Sequence, residues 1–251
     1  MEAEIKLLLP ATAALRALAA RLGVADSRGV HQRNEFFDTP GGALHSAQCH
    51  ARLRREDDRD AVRVTWVVTL KGPKELSACA SLAVRPEEEA VVDEGFAAAI
   101  LRGDASPLDA LPRSPLVEMA LAAASGVRPV VQPDQGFSNL RVHAPFELTP
   151  PCGAAPMKVT LELDTTTFSA GGVDEEQWEV ECELQDLVLP SGLTLETRAC
   201  EAEAALQALL VSIPEIGAPC PPAKGKRSRQ KAFLKARGKE AKAQAKAAKR
   251  R

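Results

Sequence analysis

Charged and apolar residues alternate at a period of two along much of this chain, and that repetition limits the folds open to it. Glu2, Glu4 and Lys6 alternate with Ala3, Ile5 and Leu7, and His50, Arg52 and Arg54 with Ala51 and Leu53. Arg63, Thr65, Val67, Thr69 and Lys71 share one parity, with Val62, Val64, Trp66, Val68 and Leu70 on the other. Arg85, Glu87 and Glu89 fall on a common parity, as do Asn139, Arg141 and His143. Lys158, Thr160, Glu162 and Asp164 alternate with Val159, Leu161 and Leu163, and Glu179, Glu181 and Glu183 with Trp178, Val180, Cys182 and Leu184. Alternation of this kind puts the two sets on opposite faces of a β-strand.

A single such strand reads as part of an antiparallel sheet with one wet face. The set as a whole reads differently. Acids dominate some strands and arginines others, which suits pairing across a shared space, and the opposite faces are apolar enough to need covering by helices. The predicted strands are 2–9, 49–55, 62–71, 82–91, 127–132, 137–144, 157–166 and 178–185. Helices are expected at 11–22, 96–101, 116–124 and 199–211, a loop at 24–34, and a short extended piece turning at Asp38-Thr39-Pro40-Gly41-Gly42. The predicted fold is α+β: a closed eight-stranded antiparallel β-barrel with a charged tunnel inside and helices packed outside.

Motif spacing removes several function classes. The chain has neither a GxxxxGK[ST] loop nor GxGxxG, its six cysteines form no CxxC pair, and its four histidines form no HExxH. No apolar run reaches transmembrane length, and acids stand where a signal peptide would be basic, so a cytoplasmic location with reduced thiols is expected. Charge is segregated: residues 224–251 carry 13 Lys and Arg against the single acid Glu240, while the other 223 residues hold 19 bases and 33 acids. The expected organisation is a domain over 1–213, then a Pro-rich link and disordered basic tail over 214–251, because an isolated Lys/Ala segment is a marginal helix in water. The tail is either solubilising or a contact for nucleic acid or long polyphosphate.

The ordered set ExExK at 2–6, FDTP at 37–40, ARLR at 51–54, TLKGP at 69–73, RPEEE at 85–89, LELD at 161–164 and EVECEL at 179–184 resembles the CYTH-domain proteins, the triphosphate tunnel metalloenzymes. This family includes inorganic triphosphatases, thiamine triphosphatases, class IV adenylate cyclases and RNA triphosphatases. The resemblance implies a triphosphate substrate and a divalent cation. It implies metal-binding roles for Glu2, Glu4, Glu87, Glu89, Glu162, Asp164, Glu181 and Glu183, with Glu179 an extra candidate. It implies phosphate contacts from Lys6, Arg52, Arg54, Lys71, Arg85 and Arg141, with Lys6, Arg54 and Lys71 acting in catalysis. The family's late lysine, often preceded by Ser, has no clean match, and Lys231 after Ser228-Arg229-Gln230 is the nearest. Phe36-Phe37 stands where many relatives carry Tyr.

The residue types fit that chemistry on their own terms. Arginine forks bind phosphate oxygens in pairs with charge assistance, and clustered carboxylates make a hard-oxygen site suited to Mg²⁺ or Mn²⁺. Arg63, Lys158 and Glu179 share the inward parity, and for each a pairing partner and a ligand contact are equally good readings. Arg33, Asp38, Asp57 and Asp58 read as turn or surface residues. Hydrolysis of inorganic tripolyphosphate is the leading expectation, since only 4% of residues are aromatic and little stacking surface is available. The alternatives are a class IV adenylate cyclase, a thiamine triphosphatase and a non-catalytic polyphosphate- or nucleotide-binding module. The sequence is silent on oligomeric state.

Overall fold

The computed structural model describes residues 2–27, 29–58, 60–75, 82–132, 135–151, 154–170, 172–184 and 194–248. These described residues form ten strands: β1 (Glu2–Leu9), β2 (Val30–Asp38), β3 (His50–Asp58), β4 (Arg63–Lys71), β5 (Leu82–Arg85), β6 (Glu87–Val92), β7 (Val130–Val131), β8 (Phe137–Leu148), β9 (Met157–Ala170) and β10 (Val173–Glu183). The helices are α1 (Thr12–Arg21), α2 (Ala43–Ser46), α3 (Glu94–Arg102), α4 (Pro115–Ala124), α5 (Leu195–Val211) and α6 (Lys226–Ala248).

The strands form one antiparallel sheet in the order β5-β1-β10-β9-β8-β2-β3-β4-β6, with β7 on the side of β2. This corrects the expectation of a closed eight-stranded barrel. The hydrogen-bonded ladder is not a ring, and its two terminal strands, β5 and β6, are consecutive in the chain with Pro86 alone between them. Proline has no N–H to donate, so the ladder breaks there and the stretch expected as one strand, 82–91, becomes two. Backbone bonds from Gly72 N to Pro86 O (2.8 Å) and from Glu75 N to Val84 O (2.8 Å) tie the exit of β4 to β5.

The second correction is β2, which runs through the stretch expected as a loop. Its central inward residues, Gln32 and Asn34, are polar and only 7% and 1% exposed, so no apolar alternation advertises the strand. β10 starts five residues earlier than expected, after a turn at Gly172 (φ +76°).

The apolar faces point outward into two cores. One packs Ile5, Leu7, Leu161, Leu163, Val180 and Cys182 against Leu18 of α1 and Leu206 and Leu210 of α5. The other packs Leu53, Val68 and Leu70 against Leu44 of α2, Ile100 of α3 and Val117 and Ala120 of α4. Burying each such Leu or Ile contributes roughly 1.5–3 kcal/mol, and this fixes which face of every strand looks inward.

The C-terminal segment packs on the sheet. The link lies along the second half of β1, with Leu8 N bonded to Pro221 O (2.9 Å) and Ala223 N to Lys6 O (2.8 Å), while Cys220 joins the first core. α6 follows where a disordered tail is expected. Its first turns are anchored, with Arg229 7% exposed and Phe233 packed against Phe36, Phe137 and Phe168, and an alanine-rich helix propagates readily from an anchored start. No described helix is long and apolar enough to cross a membrane.

Candidate functional site

The inward faces of the strands surround a cavity of about 880 Å³. Strand register decides which charges meet in it. β1 lies against β10 with Glu4 opposite Glu183 and Lys6 opposite Glu181. β10 lies against β9 with Glu181 opposite Glu162 and Glu179 opposite Asp164, and β9 against β8 with Asp164 opposite Arg141 and Glu162 opposite His143. Cross-strand neighbours on one face interact directly, so the parity pattern becomes a set of contacts.

Four buried carboxylates and four cations make the deepest cluster. Glu162, Asp164, Glu179 and Glu181 are each at most 4% exposed. Arg141 donates from Nε to Asp164 Oδ1 (2.9 Å) and from Nη2 to Asp164 Oδ2 (2.6 Å) and Glu181 Oε2 (2.8 Å), and it also pairs with Glu162. Lys226, the first residue of α6, reaches Asp164 Oδ2 at 2.6 Å, Glu181 Oε1 at 2.5 Å and Glu179. Lys6 bonds Glu181 Oε1 at 2.9 Å and Glu4 Oε1 at 2.8 Å, and Arg229 pairs with Glu179. Burial alone would push Asp164 up, but Arg141 and then Lys226 outweigh it and leave its pKa at about 2. Glu181 is held well below the usual carboxylate range because Lys226, Lys6 and Arg141 outweigh its burial. Burial dominates at Glu179, which is raised despite its two partners.

Glu183 behaves differently. Among the described residues no cation lies within ion-pair distance of it, and burial, then Glu162, Glu4 and Glu181, push its carboxyl up to about 7. Its end of the cavity has more acid than base.

Oxygens of Glu162, Asp164 and Glu181 all fall within 4.8 Å of one another. Yet Asp164 and Glu181 are already saturated by Arg141, Lys226 and Lys6, so proximity alone does not select the acids best placed for a divalent cation. Glu4, Glu162 and Glu183 face the cavity and offer hard carboxylate oxygens. Glu2 shares the face of Glu4 on β1 and lies opposite Arg85 in register, and its side chain is outside the described residues.

The opposite wall is basic. Arg52 and Arg54 project from β3 and Lys71 from β4, while Arg85 keeps a buried Nε that meets no acceptor among the described residues. Glu87 and Glu89, expected with the metal-binding acids, sit among these cations instead. Glu87 pairs with Lys71 (3.3 Å), and Glu89 accepts from Thr69 Oγ1 (2.7 Å) and faces Arg52 and Arg54 at 3.6 Å each. The reason is register, since β6 pairs β4 with Glu87 opposite Lys71 and Glu89 opposite Thr69.

Several important residues escaped the sequence reading. The lysine that reaches the carboxylates is Lys226, while Lys231 lies at the rim with Nζ 3.5 Å from His45 Nε2. Arg227 contacts His50 and covers the Phe36 ring at 5.1 Å, and Arg229 is buried. The usable signal was the density of cations in Lys226-Arg227-Ser228-Arg229 beside an acidic body. Glu179 proves to be a pairing partner, whereas Arg63 and Lys158 are exposed. Asp38 is a turn residue but not a surface one. It is 3% exposed, and its carboxylate accepts from the backbone N–H groups of Thr39, Leu44 and His45, holding α2 in place.

This arrangement has relatives. The fold is similar to that of a Hippeastrum protein described as an adenylyl cyclase candidate with a dominant triphosphatase activity, with a TM-score of 0.61 and 24% identity over 90% of this chain and 92% of that one. It is also similar to an adenylate cyclase candidate from Bacillus halodurans, with a TM-score of 0.58 and 19% identity over 91% of this chain and 96% of that one. At these identities the likenesses establish the fold. No functionally curated protein matches the sequence. The family profile of the CYTH domain matches residues 1–133, more than half of the chain and the span that supplies Glu4, Lys6, the basic wall and Glu89. The chain therefore belongs to the CYTH-domain family.

Proposed function

We propose that this protein is a divalent-metal-dependent hydrolase of triphosphates, with inorganic tripolyphosphate as its substrate. The observation that carries this reading is the polarised cavity. Arg52, Arg54, Lys71 and Arg85 form one wall, and Glu4, Glu162 and Glu183 form an acid-rich end in which Lys6 pairs with Glu4 and Arg141 with Glu162, while among the described residues no cation lies within ion-pair distance of Glu183. A highly charged anion and a cation bound together satisfy both halves, and neither does so alone.

Glu4, Glu162 and Glu183, with Glu2 by its place on β1, would hold the ion, and their donor set fits Mg²⁺ or Mn²⁺. When bound, such an ion neutralises phosphate charge and favours attack on phosphorus. The chain's own contribution is positioning and fixed charge. Arg52 and Arg54 stand two residues apart on one strand face, about 6.6 Å in rise, and grip successive phosphoryl groups. Lys71 and Arg85 add donors from the adjoining strands, and Lys6 lines the same cavity between Glu4 and Glu181. These groups stabilise charge that spreads onto equatorial and leaving oxygens as the terminal bond lengthens. The oxygen of water joins the terminal phosphorus, the P–O–P bond breaks, and pyrophosphate leaves.

Inorganic substrate is favoured over one with an organic group because the aromatic rings at the cavity, Phe36 and Phe137, are only 6% and 7% exposed. The test offers purified protein tripolyphosphate, thiamine triphosphate and ATP with Mg²⁺ or Mn²⁺ and follows phosphate and cyclic AMP. Tripolyphosphate should yield pyrophosphate and phosphate only with metal present. Turnover undiminished by a chelator, or cyclic AMP as the main product, overturns the proposal.

A further inference from the structure

A second group of cations stands at the rim of the cavity, away from the carboxylates. His50 lies two residues before Arg52 on the same face of β3, and Arg227 Nη1 is 2.6 Å from His50 Nδ1. A guanidinium only donates, so Nδ1 accepts and the neutral ring keeps its proton on Nε2. His45 of α2 sits beside it with ring centroids 6.0 Å apart, and Lys231 Nζ is 3.5 Å from His45 Nε2. Burial, then Arg227 and Arg85, lower His50 to about 3, and Lys231 is the main cause of the lowering at His45. Asp38 is the acid facing this group, and its carboxylate is engaged by three backbone amides.

The positive charge does not stop at the rim. Arg227, Lys231, Lys235 and Lys239 recur every four residues and so share one side of α6, spanning about 18 Å at the helical rise. The other side is fixed by buried Arg229 and Phe233. Arg227 and Lys231 line the cavity, whereas Lys235 and Lys239 are exposed. Among the described residues no carboxylate pairs with Lys235 or Lys239, and Glu240 is taken by Arg237 at 2.5 Å. In the sequence Lys242 and Lys246 follow at intervals of three and four.

We infer that the rim and this stripe of α6 bind a linear inorganic polyphosphate longer than three units, its end in the cavity and the rest of its chain along the helix. This rests on the triphosphatase reading of the cavity. Continuity carries the argument: the same helix lines the cavity and leads away from it, offering cations at each turn. A chain of bare phosphates needs only cations and N–H donors. A polynucleotide also presents bases, and the phenyl rings here, Phe36 and Phe137, are buried, with Phe36 already covered by Arg227. End-on hydrolysis moves the oxygen of water to the terminal phosphorus, breaks the last P–O–P bond and releases one orthophosphate and a chain one unit shorter.

The experiment compares tripolyphosphate, tetrapolyphosphate and medium-chain polyphosphate, using the full-length protein with Mg²⁺ and a Lys235→Glu/Lys239→Glu double variant whose melting curve confirms its fold. Phosphate release and direct binding are both read, at low and high salt. KM should fall with chain length. The double variant should raise the medium-chain KM about tenfold or more at low salt, lose that effect at high salt, and leave tripolyphosphate kinetics unchanged. His45→Ala should weaken tetrapolyphosphate more than tripolyphosphate. Stripe-dependent binding of medium-chain polyphosphate without tripolyphosphate turnover supports the stripe and refutes the hydrolase reading alone. Equal medium-chain binding by parent and double variant overturns the inference, as does single-stranded DNA of matching length displacing polyphosphate at equal phosphate concentration.

Discussion

Replacing Lys226 by Met tests how the C-terminal helix is held. In the deep cluster, Glu162, Asp164, Glu179 and Glu181 are balanced by Lys6, Arg141, Lys226 and Arg229. The substitution keeps the aliphatic bulk and removes one charge, leaving four buried acids against three bases. Uncovering one side of a buried ion pair costs about 3–5 kcal/mol. For a chain of this size each kcal/mol lowers Tm by roughly 2–4 °C, so the expected drop is roughly 6–20 °C. Lys224→Met is the matched control, because Lys224 is exposed and surface changes stay within about 0.5 kcal/mol. Thermal melts of both variants followed by circular dichroism provide the measurement. A Lys226→Met protein that melts within about 2 °C of the parent would show that its ammonium does not sit among these acids. The docking of α6, and the cationic stripe that starts from it, would then be wrong.

Glu4→Gln should cut tripolyphosphate turnover by about two orders of magnitude with the melting curve retained, since it removes a candidate metal ligand, and steady-state kinetics check it. Arg54→Ala should raise KM and lower kcat together, because phosphate contacts persist into the transition state, and unchanged kinetics would contradict its place on the basic wall. Mg²⁺ at one hundred times its Kd should stabilise the protein by about 2.7 kcal/mol, with a smaller Tm shift in Glu183→Gln. His50 has its pKa lowered in the fold to about 3, so the unfolded chain binds more protons below its own value, and the stability His50 contributes is present above pH 6.5 and lost as pH falls toward 3. The slope is at most about 1.4 kcal/mol per pH unit, and urea unfolding at pH 7 and pH 5 should show it shrink in His50→Asn.

Strand parity was legible in the residues because it is a local property. Ile5, Leu7, Leu161 and Val180 mark the outward face by their alternation, and burying them forces Glu4, Lys6, Glu162 and Glu181 inward. The helices that cover those faces also show in the sequence through apolar spacing, and the structure adds side-chain caps from Asp93 to α3 and Ser114 to α4. Three features depended on the tertiary structure. β2 was hidden because its inward Gln32 and Asn34 are polar, and only pairing with β3 and β8 makes that stretch a strand. The break at Pro86 follows from which strands lie on either side of it, β1 for one half and β4 for the other. Lys226 read as one lysine among thirteen bases, and it becomes a cavity residue because Pro221 and Ala223 bond to β1 and aim the start of α6 at Asp164 and Glu181. Local alternation sets the face a side chain takes, but the partner it meets depends on register and on segments far away in the chain, which no single stretch of sequence contains.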